Sequence, residues 1–152
     1  MAKSKRILLV EDDLMDMEMT LTALEEGALA NEVHVVHDGE KALDFLYGRG
    51  EFRMRPSGNP ILILLDLKLP KLDGLEVLNQ IKKDKQLRTI PVVMLTSSRE
   101  EQDVAESYQL GVNAYVVKPI DFQEYVKVIK EIGWFWAVIN EPPPQFRGDS
   151  SL

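Results

Sequence analysis

The chain has 152 residues, 45% hydrophobic and 28% charged, with no cysteine and a formal net charge of −7. Its length bounds it to one domain with a full core, the missing cysteines close off disulfides, thiol catalysis and cysteine metal sites, and the acidic balance argues against a general nucleic-acid or membrane-surface binder. No segment reaches the roughly 18 apolar residues that span a bilayer, and "MAKSKRILLVEDD" turns acidic too soon for a secretory signal, so a soluble, cytoplasmic protein is expected.

"RILLV" (6–10) reads as a strand, and Leu14, Met17, Leu21, Leu24 and Ala28 then repeat at helical spacing. "VHVV" (33–36) is a second strand, after which Asp38 and Gly39 open a short helix carrying Ala42, Leu43 and Leu46. The stretch 48–60, "GRGEFRMRPSGNP", has three Gly, two Pro and three Arg and reads as a long, solvated loop. "ILILLD" (61–66) is the third strand, with a helix over 75–83. "IPVVMLT" (90–96) is the fourth, followed by a helix over 100–111 that a glycine ends. "AYVVK" (114–118) is the fifth, followed by a last helix over 122–139. The remainder, "NEPPPQFRGDSSL" (140–152), reads as a disordered tail to a domain over 1–139, with no second domain expected.

Strands that are continuous apolar runs, each followed by a helix, predict a doubly wound α/β domain whose parallel sheet is covered on both faces. In such sheets ligands bind beyond the carboxyl ends of the strands. Strand one ends in Glu11, Asp12 and Asp13, strand three in Asp66, strand four in Thr96, Ser97 and Ser98, and strand five in Lys118 and Pro119. Clustered carboxylates repel unless a cation balances them. Oxygen donors without His or Cys suit Mg²⁺. A lysine supplies a compact charge for a phosphoryl oxygen, a threonine hydroxyl a further hydrogen bond, and an aspartate can accept the phosphoryl itself as an acyl phosphate. Each also has a plainer reading: the acids and hydroxyls as helix caps, Lys118 as a solvated strand end. Four polar ends on one edge with matching chemistry favour the site. His34 and His37, three apart on a strand, face opposite sides and predict no metal pair.

On "LLVEDD", "LLDLKLPKLDG", "VVMLTSS" and "GVNAYVVKP" the chain resembles the receiver domain of two-component response regulators over residues 5–139. The resemblance implies a flavodoxin-like sheet of order 2-1-3-4-5. It implies that Asp66 is phosphorylated by a sensor histidine kinase, that Asp12, Asp66 and the Lys68 backbone carbonyl bind Mg²⁺, and that Glu11 acts through a metal-bound water. Thr96 would bond a phosphoryl oxygen, and Lys118 would pair with the phosphoryl or, before it arrives, with Asp66. Tyr115 would be the switch aromatic, turning inward as Thr96 moves, and Pro119 would follow a cis peptide. Glu11 stands where the family more often has Asp, and Lys68 and Ser97 lie at variable positions that should tune the acyl-phosphate lifetime.

The long loop before strand three and the aromatic last helix resemble regulators that partner bacterial phytochromes. Phe122, Tyr125, Val126, Ile129 and Trp136 form one stripe on that helix, and Val128, Ile132, Phe135 and Ile139 a second, wider than one core face needs. A homodimer through helix four, strand five and helix five is expected. Two other functions compete. A non-phosphorylated adaptor would not need Asp12, Asp66, Thr96 and Lys118 together. A haloacid-dehalogenase-like phosphatase would carry a second Asp two residues past its nucleophile, where this chain has Lys68.

Overall fold

The computed structural model describes residues 6–27 and 32–144. Five strands, β1 (Arg6–Val10), β2 (Glu32–Val36), β3 (Leu62–Leu65), β4 (Val92–Thr96) and β5 (Ala114–Val117), form one parallel sheet in the order β2-β1-β3-β4-β5. Five helices alternate with them: α1 (Leu14–Glu26), α2 (Gly39–Tyr47), α3 (Gly74–Lys83), α4 (Glu101–Gln109) and α5 (Phe122–Trp134). This is the expected doubly wound, flavodoxin-like architecture. Ala28 and the tail from residue 145 lie outside the described residues.

The central strands β1, β3 and β4 are buried along their whole length, while the edge strand β5 is half-buried, which is why the former read as unbroken apolar runs. Side-chain alternation divides the core in two. Leu8, Val10, Ile63, Leu65 and Met94 face α2 and α3, whereas Ile7, Leu9, Leu62, Leu64, Val93 and Leu95 face α1 and α5. Each such fully buried aliphatic contributes about 1.5–3 kcal/mol relative to exposure.

Asp13, Asp38, Asp73 and Asp121 each open a helix, accepting the backbone N–H three residues on. Each such cap contributes about 1 kcal/mol. In α3 the Glu76 carboxylate reaches back to the Asp73 N–H, completing a capping box.

The stretch 48–60 departs from the solvated loop read from its composition. It contains a 3-10 turn at Gly50–Phe52, and Arg55 turns inward over the end of α2. The Arg55 guanidinium donates to the carbonyls of Phe45 and Leu46 and, across the loop, to Gly58, with its Cζ 4.6 Å from the Phe45 ring centre. It thereby satisfies terminal helix carbonyls that have no partner within α2. Phe45 and Phe52 enclose His34, whose ring stacks on Phe45 at 4.5 Å. Burial lowers the His34 pKa. His37 lies just beyond β2 and meets the Glu11 carbonyl through Nδ1 at 3.0 Å, so the two imidazoles serve separate places.

The last helix buries Tyr125, Ile129 and Ile132, and then widens into a π turn at Phe135–Ile139, closed by the Asn140 N–H on the Phe135 carbonyl at 2.6 Å. Phe122, placed by periodicity on one stripe with Tyr125 and Ile129, is exposed at the first residue of the helix. Trp134, Phe135, Val138 and Ile139 are also exposed, whereas Trp136 leans on the core.

Candidate functional site

Two acids are placed by main chain rather than by side-chain packing. The Glu11 N–H continues the ladder beyond β1 to the Val36 carbonyl at 3.0 Å, and the Asp66 N–H continues it beyond β3 to the Val10 carbonyl at 3.1 Å. Glu11 and Asp66 thus leave adjacent strand ends, with Asp12 beside them. One carboxylate oxygen from each of the three lies within 4.8 Å of the others. Glu11 is buried, Asp66 half-buried and Asp12 exposed. The third acid of "EDD" does something else: Asp13 caps α1.

The loop after Asp66 folds back tightly. The Gly74 N–H donates to the Leu67 carbonyl at 2.7 Å, and a Cβ on Gly74 would sit 2.3 Å from the Asp66 carbonyl oxygen. A Cβ on Gly39 would sit 1.9 Å from the Leu72 carbonyl oxygen. Only glycine permits either approach, and together they press the 66–74 loop against the starts of α2 and α3. Within that loop Lys71 adopts a left-handed conformation (φ 68°), which costs a non-glycine residue about 1–2 kcal/mol. Lys68, two residues past Asp66, is exposed.

From β5, Lys118 reaches across the edge. Its N–H holds the Thr96 carbonyl at 2.7 Å, and its ammonium meets Glu11 Oε1 at 2.7 Å, Asp16 Oδ2 at 2.8 Å and Asp66 Oδ2 at 3.4 Å. The expected partner, Asp66, is therefore the most distant of three carboxylates. Asp16 did not emerge from the strand ends because it stands in the first turn of α1, where an acid reads as complementing the helix dipole. The available signal was its place three residues after the Asp13 cap, in a turn that begins directly above Glu11.

Burial raises the Glu11 carboxyl from 4.5 to about 7 and the charge of Asp66 adds to this, against the hydrogen bond from Lys118. Burial alone would lower the Lys118 ammonium, but the hydrogen bonds it donates to Asp16 and Glu11 and the charge of Asp66 outweigh it, so it stays protonated with a raised pKa. Three carboxylates thus share one ammonium, with the Asp12 carboxylate beside them. An all-oxygen donor set with uncompensated negative charge fits a hard divalent cation. Asp12 and Asp66 have the accessible oxygens to hold it, with Glu11 behind them.

Thr96 is buried at the end of β4, its Oγ1 accepting the Ser98 N–H at 3.3 Å. Ser98 Oγ accepts the Glu100 N–H and donates to Asp103 Oδ2 at 2.6 Å, so this serine, unlike Thr96, does hold the start of α4. Tyr115 is half-buried and donates to the Ser98 carbonyl at 3.0 Å. The cis peptide expected before Pro119 is not found, and no cis bond occurs among the described residues. The trans form is favoured by about 0.5–1 kcal/mol, and with it Lys118 already holds both its backbone partner on Thr96 and its three acids.

The response regulator receiver domain model matches residues 7–130. Response regulator Rcp1 of Synechocystis sp. is 43% identical over 132 residues, covering 87% of this chain and 88% of its own. Its Mn(2+)-bound form has been solved and superposes with a TM-score of 0.86 over 92% of this chain and 99% of that one, at 41% identity. The phosphorylated cyanobacterial phytochrome response regulator RcpA superposes with a TM-score of 0.88 at 40% identity, covering 93% of this chain and all of that one (100%). The bacteriophytochrome response regulator RtBRR is 63% identical, with a TM-score of 0.75 over 93% of this chain and 86% of its own. With an acidic cluster, a threonine and a lysine gathered on one sheet edge, the chain belongs to the response regulator receiver family of two-component systems and is related to the phytochrome response regulators.

Proposed function

We propose that Asp66 accepts a phosphoryl group from the phosphohistidine of a sensor histidine kinase, of phytochrome type, and that the protein works in the cytoplasm. The observation that carries this reading is the Asp66 carboxylate at the open end of β3, beside the Glu11 and Asp12 oxygens and 3.4 Å from the Lys118 ammonium. An Asp66 oxygen attacks phosphorus, the O–P bond forms, and the N–P bond breaks with its electron pair leaving on the imidazole nitrogen. Lys118 balances charge on the transferred group and Thr96 donates its hydroxyl to a phosphoryl oxygen. When bound, Mg²⁺ neutralises further charge there; Asp12, Asp66 and the Lys68 carbonyl would hold it directly, and Glu11 through water. Water attack on phosphorus later breaks the bond to the Asp66 oxygen, releases inorganic phosphate, returns the carboxylate and ends the signal. The protein is a phospho-acceptor that assists both steps, not a metabolic enzyme. That RcpA has been solved phosphorylated and Rcp1 with Mn(2+) supports this reading.

Leu14 and Met15 at the start of α1 and Ile120 and Phe122 before and at the start of α5 are exposed apolar residues at the same end of the sheet. They suit the kinase surface that delivers the phosphohistidine. As Thr96 engages the phosphoryl group, Tyr115 leaves the Ser98 carbonyl and turns inward, changing the α4–β5–α5 face. Tyr108, Trp134, Phe135 and Ile139, exposed on α4, α5 and the π turn, suit that face to a homodimer.

The test is intact mass after incubation with acetyl phosphate and Mg²⁺. One added phosphoryl group in wild type and none in Asp66→Asn is expected. No gain with any donor leaves a non-phosphorylated adaptor.

A further inference from the structure

We infer that Asp16 is a positioning residue for the acceptor: it competes with Asp66, and with a phosphoryl group on Asp66, for the Lys118 ammonium. This rests on the reading of Asp66 as the phosphorylated residue. An ammonium has three N–H groups, and in Lys118 they face three carboxylate oxygens at 2.7, 2.8 and 3.4 Å. The two short contacts go to Glu11 and Asp16, and the acceptor receives only the long one. Only the proton that faces Asp66 can pass to a phosphoryl oxygen, and the ammonium must move toward β3 to close that 3.4 Å gap, so a short contact lengthens when the group arrives.

The two short partners differ in how readily they let go. The Glu11 side chain is 1% exposed and the Asp16 side chain 27% exposed. Parting Lys118 from Glu11 strands a carboxylate in the interior, which is strongly unfavourable. Parting it from Asp16 leaves a carboxylate that water can solvate. Asp16 is therefore the contact that yields.

Nor does Asp16 travel with the lysine. Its N–H is held by the Asp13 carboxylate at 2.8 Å and its carbonyl by the Thr20 hydroxyl at 2.8 Å. Thr20 in turn meets the Tyr125 hydroxyl of α5 at 3.0 Å, buried between the helices. The carboxylate stands on a fixed post, drawing Lys118 toward α1 and away from β3. An interaction made only before phosphorylation favours the unphosphorylated state, so Asp16 restrains both the rate and the extent of phosphorylation.

Asp16→Asn keeps the shape and removes the charge. The partly exposed pair implies that the variant gains phosphoryl from acetyl phosphate about twofold to fivefold faster than wild type, with acetate leaving on its own electron pair. Intact mass follows this over a range of acetyl phosphate and Mg²⁺ concentrations, with a melting curve to show that the variant folds and Asp16→Ser as a second neutral substitution. Because the effect runs through Lys118, Asp16→Asn is silent in a Lys118→Met background, where a general relief of negative charge would persist. A rate equal to or below wild type in both folded variants overturns the inference, as does an equal acceleration without Lys118. A rise in the Mg²⁺ concentration needed for half-maximal rate overturns it in favour of Asp16 as a metal ligand. If wild type itself gains no phosphoryl group, the acceptor reading has failed instead.

Discussion

Gly74→Ala sets two opposite effects against each other, and the structure decides the sign. Alanine is the better helix former by up to about 1 kcal/mol, and Gly74 is the first residue of α3 with no positive φ to defend. Its added Cβ, however, would lie 2.3 Å from the Asp66 carbonyl oxygen and 2.8 Å from both the Cα and the carbonyl oxygen of Leu67. All three are backbone atoms. The strand side resists retreat, because the Asp66 N–H is held by the Val10 carbonyl at 3.1 Å, and the helix side is pinned more firmly by the Asp73–Glu76 capping box. Overpacking of this kind costs about 1–3 kcal/mol or more, so Gly74→Ala should lose about 1–2 kcal/mol net in urea unfolding. The relief that remains is a shift of the 66–67 backbone, which displaces the Asp66 carboxylate. Misplacement by about 1 Å lowers a rate by up to about a hundredfold, so phosphorylation by acetyl phosphate, followed by intact mass, should fall by about tenfold or more. A variant as stable as wild type, or more stable, refutes the steric argument, and a normal rate in a destabilised variant refutes its link to Asp66.

Glu11 carries a pH signature. Its carboxyl is raised from 4.5 to about 7 by burial, so between those values the folded protein holds a proton that the unfolded chain releases, and stability falls as pH rises through the window. Without divalent cations, wild type should lose up to about 3 kcal/mol more than Glu11→Gln between about pH 4 and pH 8, read by urea unfolding at each pH; parallel profiles would show that Glu11 ionises normally. At the other end of the molecule, wild type should sediment as a dimer and Trp134→Glu and Phe135→Glu as monomers. Trp134 is the cleaner probe because Trp136 packs against the core. A monomeric wild type, or variants that remain dimeric, removes the α4–β5–α5 interface.

The fold was legible because the buried strands announce themselves: no helix face or solvated strand requires residues 62–65 to be apolar without a break. The site was legible to the extent that its residues sit at strand ends, where topology alone brings them together. Glu11, Asp66, Thr96 and Lys118 met that condition. Asp16 did not, since its contact with Lys118 depends on the rotational phase at which α1 starts, and that phase follows from Asp13 serving as the cap rather than Asp12. Arg55 was opaque for a different reason. Its partners are carbonyl oxygens at the end of α2, and backbone acceptors leave no mark in a sequence, so an arginine in a glycine- and proline-rich stretch reads as solvated.

The same distinction explains how a chain can hold the carboxylate of the proposed acceptor at the edge of a dry core. If side-chain packing positioned Asp66, its oxygens would be occupied by the partners that fix them. Instead the positioning is done by main chain: the 3.1 Å bond to Val10 at one end and the glycine-tight turn back from Gly74 at the other. The aliphatic run before Asp66 makes that stretch of backbone rigid, because displacing it would disturb both halves of the core. Among the described residues the carboxylate is then left with a single long contact, to a lysine that Glu11 and Asp16 hold more closely. An acceptor needs that combination of a fixed backbone, nearby cationic charge and oxygens without strong partners, and a strand that ends on an aspartate supplies it.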